Sequence, residues 1–271
     1  MIFIAMLHLP ACPTSGRGGW SSAALRCVRH NAIALDRGNA PLILVENNFG
    51  TPVSPRVTTQ QRSYISACLQ EVLAVVPSAR VGVHVRWNDY WATCSLASAY
   101  KLSFCRIAVV GASVETRYGD RIVTSFADVG DCLRVNGLGC PRFAVYVDLV
   151  PKNCLRLGTS TTNERLTELS RAGFQRFVFS ESTSGSRIAQ QDLHRTAERA
   201  HMMGCQVLAA GSITPADLPQ LAGIVDGVIV GGGLYQRSDP KKPLVCDRAL
   251  ERYMSECQKL TPHSERTEDH R

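Results

Sequence analysis

Glu46 and Asp148 each end an apolar run, "LILVE" and "FAVYVD", and a carboxylate set behind such a run is the kind of group that moves protons. For Glu46 two readings stand side by side: a general base with a pKa raised by burial, or half of a structural ion pair with Arg106. Asp148 reads as a proton carrier or metal ligand, against a plain cap for the loop that follows. Arg106 interrupts the run "FCRIAVV", and with Lys152, four residues past Asp148, it would stabilise developing negative charge. Lys152 also suits a phosphate or a Schiff base, although Pro151 puts it in a loop. His8 closes "IFIAMLH" and either shuttles protons or hydrogen-bonds backbone in the turn "HLPACP"; it also joins the substrate-binding set. His84 lies within a run and reads as a satisfied interior histidine. Asn47 and Asn88 join the binding set, and Asn88 and Asp89 are equally suited to cap the helix behind them.

A second kind of signal comes from glycine. The runs Val207–Ala210 and Gly227–Val230 stop at Gly211-Ser212 and at Gly231-Gly232-Gly233. A phosphate needs several N–H donors converging on it, and residues without a Cβ let the backbone come close enough. Gly211, Gly231 and Gly232 are therefore read as backbone donors, Ser212 as an added hydroxyl, and Gly185 in "SESTSGS" as an extension of the same cradle. The competing reading is that these glycines turn tight corners.

Such residues need elements to hold them. Eight strand-length apolar runs recur: 2–8, 42–46, 81–85, 105–110, 143–148, 176–180, 206–210 and 227–230. They are nearly continuous, as in strands buried on both faces of a parallel sheet. Helical spacing follows most of them, as in Leu25, Val28, Ala32 and Leu35, or Ile65, Leu69, Val72 and Val76. Pro215 suits the first turn of the helix after the seventh run, and Asp247 to Cys257 supplies a last helix. Eight alternations predict a (β/α)8 TIM barrel in one domain over residues 1–258, with a polar, disordered tail over 259–271. The fourth βα unit is irregular, because "RIVTSFADV" reads more like strand than helix. In such a barrel chemistry belongs at the strand C-termini, and the last two loops commonly hold phosphate.

Composition narrows the function classes. The 271 residues are 45% hydrophobic and 20% charged, enough for a full core. The net charge of +7 is scattered, which fits an anionic metabolite and argues against nucleic acid. Eleven cysteines without a C-x-x-C pair predict reduced thiols in a cytoplasmic or other reducing compartment. No run reaches the roughly eighteen apolar residues of a membrane span. No nucleotide-cofactor motif is present; Glu46, Asp89 and Asp148 could together hold a hard divalent cation, but no spacing demands one. The expected partner is a small phosphorylated molecule, with homo-oligomerisation left open.

The chain resembles the BtpA family. The resemblance rests first on "MLHLPACPTSG" and "LILVENNFGTPV", then on "VGVHVRWNDYWA", "FCRIAVVGASV", "VYVDLVPK", "SESTSG" and the glycine-ended stretch from Leu208 to Tyr235. It implies a TIM barrel and carries His8, Glu46, Asn47, Arg86, Asn88, Asp89, Arg106, Asp148, Lys152, Gly211 and Gly231 as matching positions. The family's best-described member is an accessory factor for photosystem I biogenesis, and most others are thought to be enzymes of unassigned reaction. The chain departs from the family at Asn153, at Ile107-Ala108 and at Gly232 to Tyr235, where relatives tend to carry His, V-N and S-x-x-K. Three readings follow: an acid/base or aldol-type enzyme on a phosphorylated metabolite, a ribulose-phosphate-binding-barrel isomerase or lyase, and a non-catalytic assembly factor on the same barrel.

Overall fold

Apolar runs that alternate with nothing polar need cover on both faces, and here a closed barrel supplies it. The computed structural model describes residues 1–12, 22–47, 54–151, 153–158, 161–180, 189–236 and 243–260. The chain begins β1 (Ile2–His8), α1 (Ser22–Arg37), β2 (Leu42–Glu46), α2 (Thr59–Leu73), β3 (Val81–His84) and α3 (Tyr90–Ala99). Then come β4 (Phe104–Ile107), β5 (Ala112–Thr116), β6 (Arg121–Thr124), α4 (Phe126–Val135), β7 (Ala144–Asp148), β8 (Cys154–Arg156) and α5 (Thr162–Arg171). The last elements are β9 (Arg176–Ser180), α6 (Gln190–Met202), β10 (Gln206–Gly211), α7 (Leu218–Leu221), β11 (Gly227–Val230) and α8 (Asp247–Lys259).

Eight parallel strands close in the order β1-β11-β10-β9-β7-β4-β3-β2, so the fold is a TIM barrel in a single domain. Strand residues alternate sides. On β1, Phe3, Ala5 and Leu7 face the helices, while Ile4 and Met6 join Leu44, Phe104, Tyr146, Val178, Leu208 and Ile229 in a separate cluster inside the barrel. The same step of two carries the inner face from Met6 to His8, Leu44 to Glu46, Phe104 to Arg106, Tyr146 to Asp148 and Val178 to Ser180. The top layer of the interior is thus polar on these five strands, whereas β10 and β11 end their inner faces on Ala210 and Ile229.

The irregular fourth unit proves to be an insertion. β6, β5 and β8 form a small antiparallel sheet, and "RIVTSFADV" divides between two elements: Arg121–Thr124 is strand and Phe126 opens α4. Ser125 makes the switch, accepting from the Asp128 N–H while the Asp128 carboxylate accepts from the Ser125 N–H. β4 is shorter than its apolar run predicts, ending at Ile107 instead of Val110. Both backbone groups of Val109 are taken by the Asn88 side chain, at 2.7 and 2.8 Å, which removes them from the ladder. The seventh helix is reduced to a 3-10 turn at Pro215–Asp217 followed by the four residues of α7. α8 runs to Lys259, one residue beyond the expected domain end, and residues 261–271 lie outside the described ones. No disulfide joins any of the eleven cysteines. No helix among the described residues is long and apolar enough to cross a membrane.

Candidate active site

A cavity of about 640 Å³ opens at the C-terminal mouth, on the side where the inner-face positions end. His8, Glu46, His84, Arg106, Asp148 and Ser180 line it from β1, β2, β3, β4, β7 and β9. Gly211 and Ser212 after β10, and Gly231, Gly232 and Gly233 after β11, line its other side. The parallel register sets His8 beside Glu46 and Glu46 beside His84, so three strands present these side chains at one level.

The ionic pairing differs from the sequence expectation. Arg106 pairs with Asp148, not with Glu46: its Nε donates to Oδ1 at 2.8 Å and its Nη2 to Oδ2 at 2.9 Å. This two-point fork between neighbouring strands is buried, with Arg106 7% and Asp148 2% exposed. Glu46 instead has His84 Nδ1 at 3.1 Å and Arg86 Nη1 at 3.6 Å. Burial alone would push the Glu46 carboxyl up, but Arg86, then His84 and His8, outweigh it and hold the group well below the usual carboxylate range. The raised-pKa base expected at this position is therefore replaced by a carboxylate that stays ionised.

That shift has a consequence for stability. A pKa lower in the folded than in the unfolded state contributes stability above the ordinary carboxyl range and loses it as pH falls through the folded value. The urea midpoint of the native chain is expected to drop on acidification below about pH 4.5. Glu46→Gln should give a flatter dependence over that window, and parallel curves for the two proteins would refute the assignment.

His84 is not the satisfied interior histidine of the sequence reading. It stands at the end of β3, 5% exposed, and lines the cavity; neither ring nitrogen has a hydrogen-bond partner among the described residues, Nδ1 making only the ion-pair contact with Glu46. Asn47 and Asn88, by contrast, do not line this cavity, and both hold backbone. Asn47 Oδ1 accepts from the Arg86 N–H at 2.6 Å and its Nδ2 donates to the Arg86 carbonyl. Asn88 ties the loop after β3 to Val109 and to Thr124 on β6. Asp89 is the N-cap of α3, accepting from the Ala92 N–H at 2.9 Å. The trio Glu46, Asp89 and Asp148 is thus divided among three structural partnerships, and no cluster of three metal-ligating side chains occurs among the described residues. Lys152 and Gly185 lie outside the described residues.

Two glycines show why this wall needs bare backbone. Gly211 adopts φ +143°, which L side chains rarely take. At Gly231 an added Cβ would stand 3.1 Å from His8 Nε2 and 3.1 Å from Met6 Sδ, tighter than ordinary contact. Tyr235, which the sequence reading passed over, closes this end. Its hydroxyl accepts from the His8 N–H at 2.7 Å and donates to the Met6 carbonyl at 2.8 Å, and its ring lies 5.2 Å from the His8 ring. Burial pushes its hydroxyl pKa up, so it remains a neutral donor. The only sequence signal for this clasp was its position two residues past the glycine run.

Comparison with known proteins fixes the family, whose profile matches residues 2–257. The chain belongs to the BtpA family. It is 28% identical over 243 residues to the photosystem I biogenesis protein BtpA of Synechocystis sp., covering 87% of this chain and 81% of that one. In structure this BtpA-family barrel is similar to KGPDC from Streptococcus mutans, with TM-score 0.59 at 11% identity over 96% of this chain and 98% of that one. It is also similar to a 3-hexulose-6-phosphate synthase, with TM-score 0.57 at 13% identity over 94% and 99% of the two chains. At such identities the likeness speaks for the fold alone.

Proposed function

We propose that this BtpA-family barrel is an enzyme that binds a small phosphorylated metabolite at its mouth and transforms it by proton transfer, as in isomerisation or aldol-type cleavage. One observation carries the reading: a single cavity joins two glycine-ended strand exits to a set of buried ionic groups. The backbone amides around Gly211, Ser212, Gly231 and Gly232 suit the phosphate, since bare backbone admits an anion closely and Ser212 adds a hydroxyl. Arg106, held flat by Asp148, stabilises negative charge that develops on the substrate, and Glu46 keeps a fixed charge opposite. Lys152 joins them on sequence grounds. The name of the 3-hexulose-6-phosphate synthase neighbour favours a phosphorylated sugar as the first class to try.

The test is thermal-shift screening against inorganic phosphate, triose, pentose and hexose phosphates, and the same sugars without phosphate. A ligand at a hundredfold over its dissociation constant adds about 2.7 kcal/mol, enough to read as a rise of a few degrees. Stabilisation should require the phosphate. A second reading, a non-catalytic assembly factor, is favoured by the name of the Synechocystis relative; it stands if no phosphorylated compound stabilises the chain.

A further inference from the structure

We infer that the proton-carrying group of this site is His84, acting through Nε2, with Glu46 as its positioning residue, on a phosphorylated α-hydroxycarbonyl compound. The inference rests on the proposed phosphate-binding reading and adds to it the group that moves the proton.

The choice follows by comparing the titratable groups that face the cavity. Asp148 has each carboxylate oxygen engaged by the Arg106 fork. Glu46 is held ionised by Arg86 and two histidines, so as a base it is weak. His8 is flanked by the Tyr235 ring and the Gly231 backbone, at the phosphate end. His84 differs from all three. Its Nδ1 meets Glu46 Oε2 at 3.1 Å, across the directly registered pair Glu46 and His84 of β2 and β3. The contact is close but not an aligned hydrogen bond; with the ring turned to align it, a carboxylate there favours the Nδ1–H tautomer and leaves the Nε2 lone pair to accept a proton. Both ring nitrogens are buried in a cavity-lining residue without a hydrogen bond among the described residues, and Nε2 is the one not facing the Glu46 carboxylate.

The step balances within the cavity. Nε2 takes the proton from the carbon next to the substrate carbonyl, and that C–H electron pair moves to the carbonyl oxygen as an enolate. Arg106 and Arg86, which line the same wall, offset the charge. The imidazolium then returns the proton to the same carbon, which completes the exchange, or to the former carbonyl carbon while the neighbouring hydroxyl proton passes to the enolate oxygen, so nothing is oxidised or reduced overall.

The experiment incubates the full chain in D2O with dihydroxyacetone phosphate, ribulose 5-phosphate and fructose 6-phosphate, and follows loss of the α-proton signal by NMR. A thermal shift is run on each mixture. For a compound that stabilises the chain, exchange should fall at least about 100-fold in His84→Gln while the thermal shift persists. In Glu46→Gln it should fall about 10-fold or more, with a changed pH profile. Exchange within about threefold of the native rate in a folded His84→Gln overturns the inference. So does a compound that stabilises the chain without exchange, which leaves phosphate binding standing. If no compound stabilises it, the phosphate reading fails instead. Nitrogen-detected NMR of the native imidazoles decides His84 separately, even if His84→Gln does not fold. The Nδ1–H tautomer, lost in Glu46→Gln, supports the pair, and an Nε2–H tautomer in the native chain overturns it.

Discussion

Gly231→Asp is expected to abolish stabilisation by phosphorylated ligands. The new Cβ would stand 3.1 Å from both His8 Nε2 and Met6 Sδ, so these side chains must give way by a few tenths of an ångström. The carboxylate then adds a charge of the ligand's own sign to the cavity wall, where removal from water strengthens the repulsion. Loss of the full increment, about 2.7 kcal/mol at a hundredfold excess over the dissociation constant, is the predicted result. Gly232→Asp separates crowding from charge, because a Cβ at Gly232 meets nothing within 4 Å. It should leave the melting temperature of the free protein nearly unchanged and still remove the ligand shift. An undiminished shift in both variants would remove the phosphate from the glycine loops.

Asp148→Ala is expected to cost about 3–5 kcal/mol of stability in urea unfolding at neutral pH, because it leaves the buried Arg106 guanidinium without its fork partner. Replacing both members, Arg106→Met with Asp148→Leu, should recover most of that loss while ending the proposed proton exchange. The reason is that a buried ion pair is set against the cost of removing two charges from water, and well-packed apolar groups carry no such cost. The two residues sit on adjacent strands with both hydrogen bonds under 3 Å, so their effects should be strongly non-additive. A double variant at least as unstable as Asp148→Ala would show that the pair contributes mainly through packing. Full retention of the proposed exchange in that double variant would take Arg106 out of its proposed role.

Much of this architecture was legible in the chain. The bounds of β1, β2, β9 and β11 follow from their apolar runs, and eight such runs with helices between them imply the barrel. Strands buried on both faces must be uniformly apolar, so their ends are marked by the first polar or glycine residue. That is also why His8, Glu46, Asp148, Gly211 and Gly231 could be picked out as residues at strand exits. The fourth unit was harder to read because a β insertion and a short helix share one stretch, and local spacing has no way to mark Ser125 as the boundary until its capping partner is seen.

Partnership was decided elsewhere. Which side chains meet depends on which strands are neighbours and on their register, and neither is written in local spacing. β4 lies against β7 because β5 and β6 leave the barrel, and only that adjacency brings Arg106 to Asp148. The β2–β3 register puts His84, which looked buried and satisfied, beside Glu46, and of the two readings of Glu46, raised-pKa base or ion-pair partner of Arg106, leaves neither: it is an anion held by Arg86 and His84. Asn47 and Asn88 went the other way, since unpaired backbone at the strand exits claimed their amides. The sequence alone determined the barrel and the positions that reach its mouth. The tertiary structure decided which charges neutralise one another there, because electrostatic pairing falls off over a few ångströms and those distances exist only once the strands have closed.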